Sequence, residues 1–181
     1  MENQNKKGNE AIKNDSLKNK EKIRILFVCL GNICRSPAAD GIMQSMVDRA
    51  GLSRRFVIDS AGTGNYHVGD LPDSRMRAHA RRRGYELTHI CRQVRVSDFD
   101  DFDLIVGMDA ANIRNLKHLA PTVEAEKKIV PMAAYLTGPA RFDHIPDPYY
   151  EGAEGFELVL DLLENACANM LTTICPDSAT N

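Results

Sequence analysis

Nine residues, Cys29-Leu-Gly-Asn-Ile-Cys-Arg-Ser-Pro37, constrain this chain more than any other stretch. They follow Ile23 to Val28, a short, largely apolar run that reads as a buried strand. They precede Ile42, Met43, Met46, Val47 and Ala50, which recur at helical spacing. Ser36 is expected to cap that helix, Pro37 to take its first position and Gly51 to end it. A strand that turns into a helix this quickly leaves the loop at its carboxyl end. There the backbone N–H groups can converge on one centre, and the helix N-terminus adds partial positive charge.

The rest of the chain repeats the alternation. Phe56–Ile58 reads as a second strand, leading into the Gly-rich turn Asp59-Ser-Ala-Gly-Thr-Gly64. Asp73 is expected to cap a helix through Arg83, which Gly84 ends. Phe102–Met108 is a third apolar run, Asp109 caps the helix after it, and Lys128–Pro131 gives a short fourth strand. Gly138 to Gly155, with its three prolines, reads as a loop long enough to be functional or disordered. Phe156, Val159, Leu160, Leu163, Cys167, Met170 and Leu171 predict a final amphipathic helix. This order implies an α/β fold in three layers, α-β-α, around a small parallel sheet of about four strands. Ligands of such sheets bind beyond the carboxyl ends of the strands, where Cys29 falls.

One domain is expected over residues 23–175, with 176–181 as a C-terminal tail. Residues 1–22 hold six lysines and four acids, and Ile12 and Leu17 are their only large apolar residues after Met1. They read as a disordered polar extension with no apolar signal core. A net charge of -2 provides no field to recruit nucleic acid, and no apolar run approaches the roughly 20 residues of a membrane span. Five cysteines, an odd count in a chain this long, suit a reducing, cytoplasmic setting, with signal-independent export left open. No zinc-type spacing occurs and the five histidines are scattered, so neither metal nor other cofactor is expected.

The loop itself carries chemistry. Gly31 and Asn32 accept the left-handed backbone angles of a tight, anion-cradling turn. Arg35 can bind two oxygens of a phosphoryl group at once, where Lys would supply charge without the planar fork. The same field stabilises a thiolate, which makes Cys29 the expected nucleophile, with Ser36 placed to donate to its sulfur. Asp147, restricted by Pro148, is the expected proton donor to a leaving group. Each residue also has a plainer reading. Cys29 could be a buried structural thiol, Arg35 a surface charge, Asp147-Pro148 a turn, His89 a core or surface histidine, and Tyr149 and Tyr150 packing.

Val28 to Pro37 resembles the signature of low-molecular-weight protein tyrosine phosphatases. Asp59-Ser-Ala-Gly-Thr63 and Asp147-Pro-Tyr-Tyr150 resemble that family's other two marks, in the same order, and the likeness runs from about Lys22 to Cys175. The resemblance implies hydrolysis of phosphotyrosine and aryl phosphate monoesters through a cysteinyl-phosphate, with a phosphotyrosine protein as partner. Cys29 would attack, Arg35 with Leu30, Gly31, Asn32, Ile33, Cys34 and Ser36 would hold the phosphoryl group, and Asp147 would act as acid and then base. Tyr66, Tyr149 and Tyr150 would line a slot too deep for phosphoserine, although many members carry Trp at Tyr66. Asn32, Ser60 and His89 would brace the loop. The family is also known for a reversible disulfide at the positions of Cys29 and Cys34, which shields the nucleophile. A monomer or weak self-association is expected.

Three rivals share parts of the pattern. Arsenate reductases need a distal redox pair, whereas Cys91 stands alone and Cys167 and Cys175 fall on or after the last helix. Protein-arginine phosphatases carry Thr where Ile33 stands. A silent phosphopeptide-binding module would not need nucleophile, arginine and acid together. Arg75, Arg77, Arg81, Arg82 and Arg83 read as a solvated helix face, with selection of acidic peptides as the alternative. Asp98, Asp100, Asp101 and Asp103 read as caps and turns rather than metal ligands.

Overall fold

Alternation along the first strand organises the molecule. The computed structural model describes residues 15–138 and 142–177. In β1 (Ile23–Cys29), Ile23, Ile25, Phe27 and Cys29 enter one apolar cluster, while Leu26 and Val28 enter another on the opposite face. A strand covered on both faces must be apolar almost throughout, as this one is. It sits inside a four-stranded parallel sheet with β2 (Phe56–Gly62), β3 (Leu104–Gly107) and β4 (Ile129–Pro131), in the order β2-β1-β3-β4. Cys29 pairs with Gly62 and Val28 with Gly107, so the central strands end together and the loop leaves from their common edge.

Helices cover both faces. The larger cluster lies under α1 (Arg35–Arg49), α2 (Ser74–Arg82) and the long C-terminal α6 (Ala153–Ile174), which contribute Ile42, Met43, Met76, Phe156, Leu160 and Leu163. The smaller one gathers Phe99 of α3 (Asp98–Asp101), Leu116 of α4 (Ala110–Leu119) and Ala125 of α5 (Val123–Glu126). Local signals set several boundaries as expected. Asp73 accepts from the amides of Arg75 and Met76, Asp109 and Asn112 form a reciprocal capping box, and Gly51 and Gly84 take positive φ beyond α1 and α2.

Four expectations change. Ser36 does not cap α1: the helix begins at Arg35, and Cys34 in the cap position makes no side-chain cap bond. The Ser36 hydroxyl is engaged instead with Asn32 Nδ2, the Cys29 sulfur and the Ala61 carbonyl. Residues 59–62 are strand rather than turn, because β2 pairs with β1 up to Cys29. The final helix is longer than its apolar pattern, starting at Ala153. Residues 15–22, part of the extension expected to be disordered, pack on the domain: Leu17 is buried, and Arg55 donates to the carbonyls of Lys18 and Lys20 at 3.0 and 3.2 Å. Residues 1–14 and 178–181 lie outside the described residues. Among the described residues, no helix is long and apolar enough to cross a membrane.

Leu163 lies wholly buried in the larger cluster. Leu163→Ala is expected to cost about 2–5 kcal/mol of stability, read from the midpoint of urea unfolding at unchanged slope.

Candidate active site

At the carboxyl edge of the sheet lies a cavity of about 370 Å³, lined by Cys29, Leu30, Gly31, Ile33, Cys34, Arg35, Asp147 and three tyrosines. Its floor is the 30–34 loop, whose carbonyls are turned outward. The carbonyl of Cys29 accepts from the Thr63 amide, that of Leu30 from Gly64, that of Ile33 from Asp73 and that of Cys34 from Ala38. The Asn32 carbonyl accepts from the Cys91 thiol at 2.8 Å. Among the described residues, no amide from Leu30 to Cys34 donates to a backbone carbonyl. With their carbonyls tied outward, these N–H groups are left to converge on an anion.

Asn32 makes this possible. Its φ of +56° is the one left-handed angle among the described non-glycine residues. Its carboxamide uses both donors and both acceptor sites. Nδ2 donates to Ser36 Oγ at 2.8 Å and Ser60 Oγ at 3.0 Å, while Oδ1 accepts from His89 Nε2 and the Arg92 amide, each at 2.9 Å. Asn32 is 1% exposed and, like Ser36, does not line the cavity, so the two brace the loop from behind rather than face the cavity as expected. Gly62 is required beside them: a Cβ there would lie 2.7 Å from the Leu30 carbonyl oxygen and 3.1 Å from the Asn32 amide nitrogen.

Two thiols border the cavity, and their surroundings differ. Cys29 Sγ lies 3.1 Å from Ser36 Oγ. Asn32 donates to that oxygen, so the Ser36 proton is left for two acceptors, the Cys29 sulfur and the Ala61 carbonyl at 3.3 Å. Burial, reinforced by Asp73, Cys29 and Asp147, pushes the Cys34 thiol far above its ordinary range.

Arg35 is almost wholly buried and held from three directions. Nη1 donates to Asp109 Oδ2 at 2.7 Å and to the Ile145 carbonyl at 3.0 Å, and Nη2 donates to Asp147 Oδ2 at 3.3 Å. Burial opposes its charge, but Cys29, Asp109 and Asp147 outweigh it and keep the guanidinium protonated. Asp109 was legible only as a helix cap. One oxygen does cap α4, and the other orients Arg35; nothing in the sequence links positions 74 residues apart. Burial works against the Asp109 carboxylate, yet the Arg35 bond and the Asn112 amide hold its pKa below the usual range.

The walls match the expected tyrosines unevenly. Tyr149 is 38% exposed with Arg75 over its ring, whereas Tyr66 is 73% and Tyr150 93% exposed, so the last two form the mouth rather than the depth. His67, unremarked in the sequence, also lines the cavity.

Behind the loop, Asn32 Oδ1 can only accept, so His89 carries its proton on Nε2. Its Nδ1 then faces Asp59 at 3.4 Å and Asp40 at 3.7 Å. Burial, with help from Arg92, holds His89 below its ordinary pKa against the pull of Asp59. Burial beside Asp59 pushes the Asp40 carboxyl up to about 7. Donor atoms of Asp40, Asp59 and His89 lie within 4.8 Å of one another, a spacing a cation could bridge, although Arg92 already pairs with Asp59 at 2.9 Å.

Elsewhere the plainer readings prevail. Arg75 pairs with Asp73, Arg81 with Glu86, and Arg83 with Glu157, Asp161 and Glu164, so much of the arginine run is neutralised by its own acids. Asp98 bonds Arg92 and the Arg95 amide as a turn residue. All five cysteines are reduced. Cys91 is bonded to the loop, Cys167 is buried against α1, and Cys175 lies beside Arg55, an arrangement unlike a distal redox pair facing Cys29.

Comparison with known proteins agrees with this geometry. Residues 24–179 match the family model described as low molecular weight phosphotyrosine protein phosphatase. A Synechocystis protein named as a candidate low molecular weight protein-tyrosine-phosphatase is 49% identical over 84% of this chain and 96% of its own length. A crystal structure of a protein tyrosine phosphatase from Entamoeba histolytica, with Hepes in its active site, superposes with a TM-score of 0.80 at 43% identity, covering 83% of this chain and 95% of that one. A Drosophila arginine phosphatase superposes with a TM-score of 0.77 at 33% identity, covering 83% and 96%.

Gly62→Ala is expected to displace the loop and weaken inhibition by inorganic phosphate at least about 10-fold, the loss of one to two good hydrogen bonds to a charged group, with unchanged far-ultraviolet circular dichroism. Asp40 gives a pH signature. Its folded pKa lies above the unfolded value, so the folded state holds the extra proton and this group costs stability as pH rises from about 4 to 7. Asp40→Asn is therefore expected to gain stability relative to wild type across that window, as read from melting temperatures at pH 4 and pH 7.5.

Proposed function

The chain belongs to the low molecular weight phosphotyrosine protein phosphatase family and is a protein-tyrosine phosphatase, and on that premise we propose that Cys29, Arg35 and Asp147 carry its reaction. The observation that carries the assignment is their convergence, with the outward-turned loop, on one cavity. A phosphoryl group entering the cavity takes over the Nη2–H that Asp147 now accepts. Arg35, still aimed by Asp109 and Ile145, and the loop amides then hold the non-bridging oxygens. Cys29 sulfur attacks phosphorus, the P–O bond to the aryl group breaks, and Asp147 gives its proton to the departing oxygen. In the second half, Asp147 takes a proton from water as the water attacks the cysteinyl-phosphate. The S–P bond breaks, and inorganic phosphate and the Cys29 thiolate are restored. No step needs a metal or other cofactor.

An aromatic ester fits the walls best. A ring on the phosphate can lie against Tyr66 and Tyr149, and Ile33 presents an apolar side chain to the cavity. Phosphoarginine is the second reading, favoured by the likeness to the Drosophila arginine phosphatase. Ile33 in place of Thr argues for phosphotyrosine, and relative turnover of the two amino acids decides between them. Cys34 lines the same cavity as Cys29 and suits a redox guard. Peroxide converts the Cys29 thiolate to a sulfenic acid, and Cys34 then displaces water to form a disulfide that thiols reduce. An odd count of five cysteines suits a reducing compartment such as the cytoplasm.

Cys29→Ser is expected to abolish hydrolysis of p-nitrophenyl phosphate while retaining the fold; near-normal turnover in that variant sinks the mechanism. Asp147→Ala is expected to lower kcat for phenyl phosphate by about 10²–10⁴. Cys34→Ala should regain less activity than wild type when a thiol follows peroxide; equal recovery removes the redox role.

A further inference from the structure

Large apolar side chains exposed on this molecule are unevenly spread. Leu30, Tyr66, Tyr149 and Tyr150 border the cavity itself. Val68, Leu71 and Ile90, exposed by 57%, 47% and 53%, extend this border away from it. Among the described residues, only Val96 and Val123 complete the set.

Backbone pairing joins the three outer residues. The Gly69 amide donates to the Cys91 carbonyl, and the Cys91 amide donates to the Asp70 carbonyl, each at 2.9 Å. The backbone carrying Val68 and Leu71 is thus held along the backbone carrying Ile90. The segment starts at the Tyr66 wall, and its far end is fixed to the cavity floor, where the Asp73 amide donates to the Ile33 carbonyl at 2.8 Å. Charge here is acidic or neutralised. Asp70 is well exposed with His67 Nδ1 at 3.5 Å, and Arg75 is bound through two nitrogens to Asp73. Contiguous exposed apolar surface in a soluble protein commonly marks an interaction site.

We propose that Val68, Leu71 and Ile90 form a docking strip for apolar residues flanking the phosphotyrosine of a protein substrate. The strip rests on the reading of the cavity as a phosphotyrosine site, and continuity with that cavity selects the occupant. A peptide whose ring lies against Tyr66 must leave the pocket across its rim, and on this side it meets three aliphatic side chains. Acidic flanking residues meet the same apolar surface and the Asp70 carboxylate, and are disfavoured.

The test compares two phosphotyrosine peptides that differ only in flanking residues, Leu/Ile/Val in one and Glu/Asp in the other. Each is assayed with wild type and with a Leu71→Ser/Ile90→Ser variant, with p-nitrophenyl phosphate as the reference substrate. Wild type is expected to favour the apolar peptide by about 10-fold in kcat/KM, the scale of partly burying two aliphatic side chains. The double variant is expected to lose most of that preference through KM while its p-nitrophenyl phosphate turnover stays at the wild-type level. Equal rates on both peptides in a wild type that turns over the reference substrate overturn the strip alone. So does a preference that survives in the variant. A variant that keeps the preference but shifts the sedimentation coefficient marks the strip as a contact between copies of this chain, which also overturns the proposal. Failure of wild type on p-nitrophenyl phosphate overturns the reading of the cavity, and the strip with it.

Discussion

The left-handed backbone of Asn32 is the constraint on which the rest of the site depends. A non-glycine residue in this region is uncommon and must be held there by its surroundings. Here the hold comes from a carboxamide with four bonds: Ser36 and Ser60 on one side, His89 and the Arg92 amide on the other. The thiol of Cys91 fixes the residue's carbonyl as well. With that peptide turned, the neighbouring carbonyls reach outward to Thr63, Gly64 and Asp73, and the amides are left for an anion. The brace also reaches Cys29, because the Ser36 hydroxyl that accepts from Asn32 lies 3.1 Å from the Cys29 sulfur and 3.3 Å from the Ala61 carbonyl.

Arg35 shows a second form of preorganisation. A buried guanidinium is costly unless paired, and three acceptors meet it. Two of them, Asp109 and the Ile145 carbonyl, hold it in place. The third, Asp147, is half-exposed and lies on the 145–152 loop, so it can be displaced by an anion that binds the same edge of the fork. One contact thus joins the arginine proposed to bind the phosphoryl group to the aspartate proposed to supply the proton. Asp109 is positioned by its own helix, where the capping box with Asn112 leaves one oxygen free for the arginine.

Local patterns made much of this legible. The alternating faces of β1, the caps at Asp73 and Asp109, the ends of α1 and α2 at Gly51 and Gly84, and the apolar stripe of α6 all depend on near neighbours in the chain. The Cys29 to Pro37 spacing was equally readable, because a strand, a tight loop and a helix start leave few places for the thiolate and guanidinium to go. What failed to show depended on distant partners. Ser36 was legible as a partner of the Cys29 sulfur, but it also looked like a helix cap because nothing local shows its hydroxyl engaged by Asn32 and the Ala61 carbonyl. Leu17 looked like an isolated apolar residue in a polar tail because its burial needs the packed domain. His67, Cys91 and the second oxygen of Asp109 carried no signal that spacing could reveal.

By itself, the sequence determined the α/β alternation, the position of the thiol and guanidinium at a strand-to-helix junction, and the three motifs that carry the family resemblance. These follow from periodicity and short-range geometry, which a linear pattern records directly. Only the tertiary structure decided which atoms meet. It placed Asp147 and Asp109 on the same arginine, closed the bonds around Asn32, raised the pKa of the Cys34 thiol by burial, and paired the backbone of 69–70 with that of Cys91. The physical reason is the same in each case: hydrogen bonds, desolvation and surface continuity depend on separations in space, and residues tens of positions apart acquire those separations only when the sheet and its helices pack.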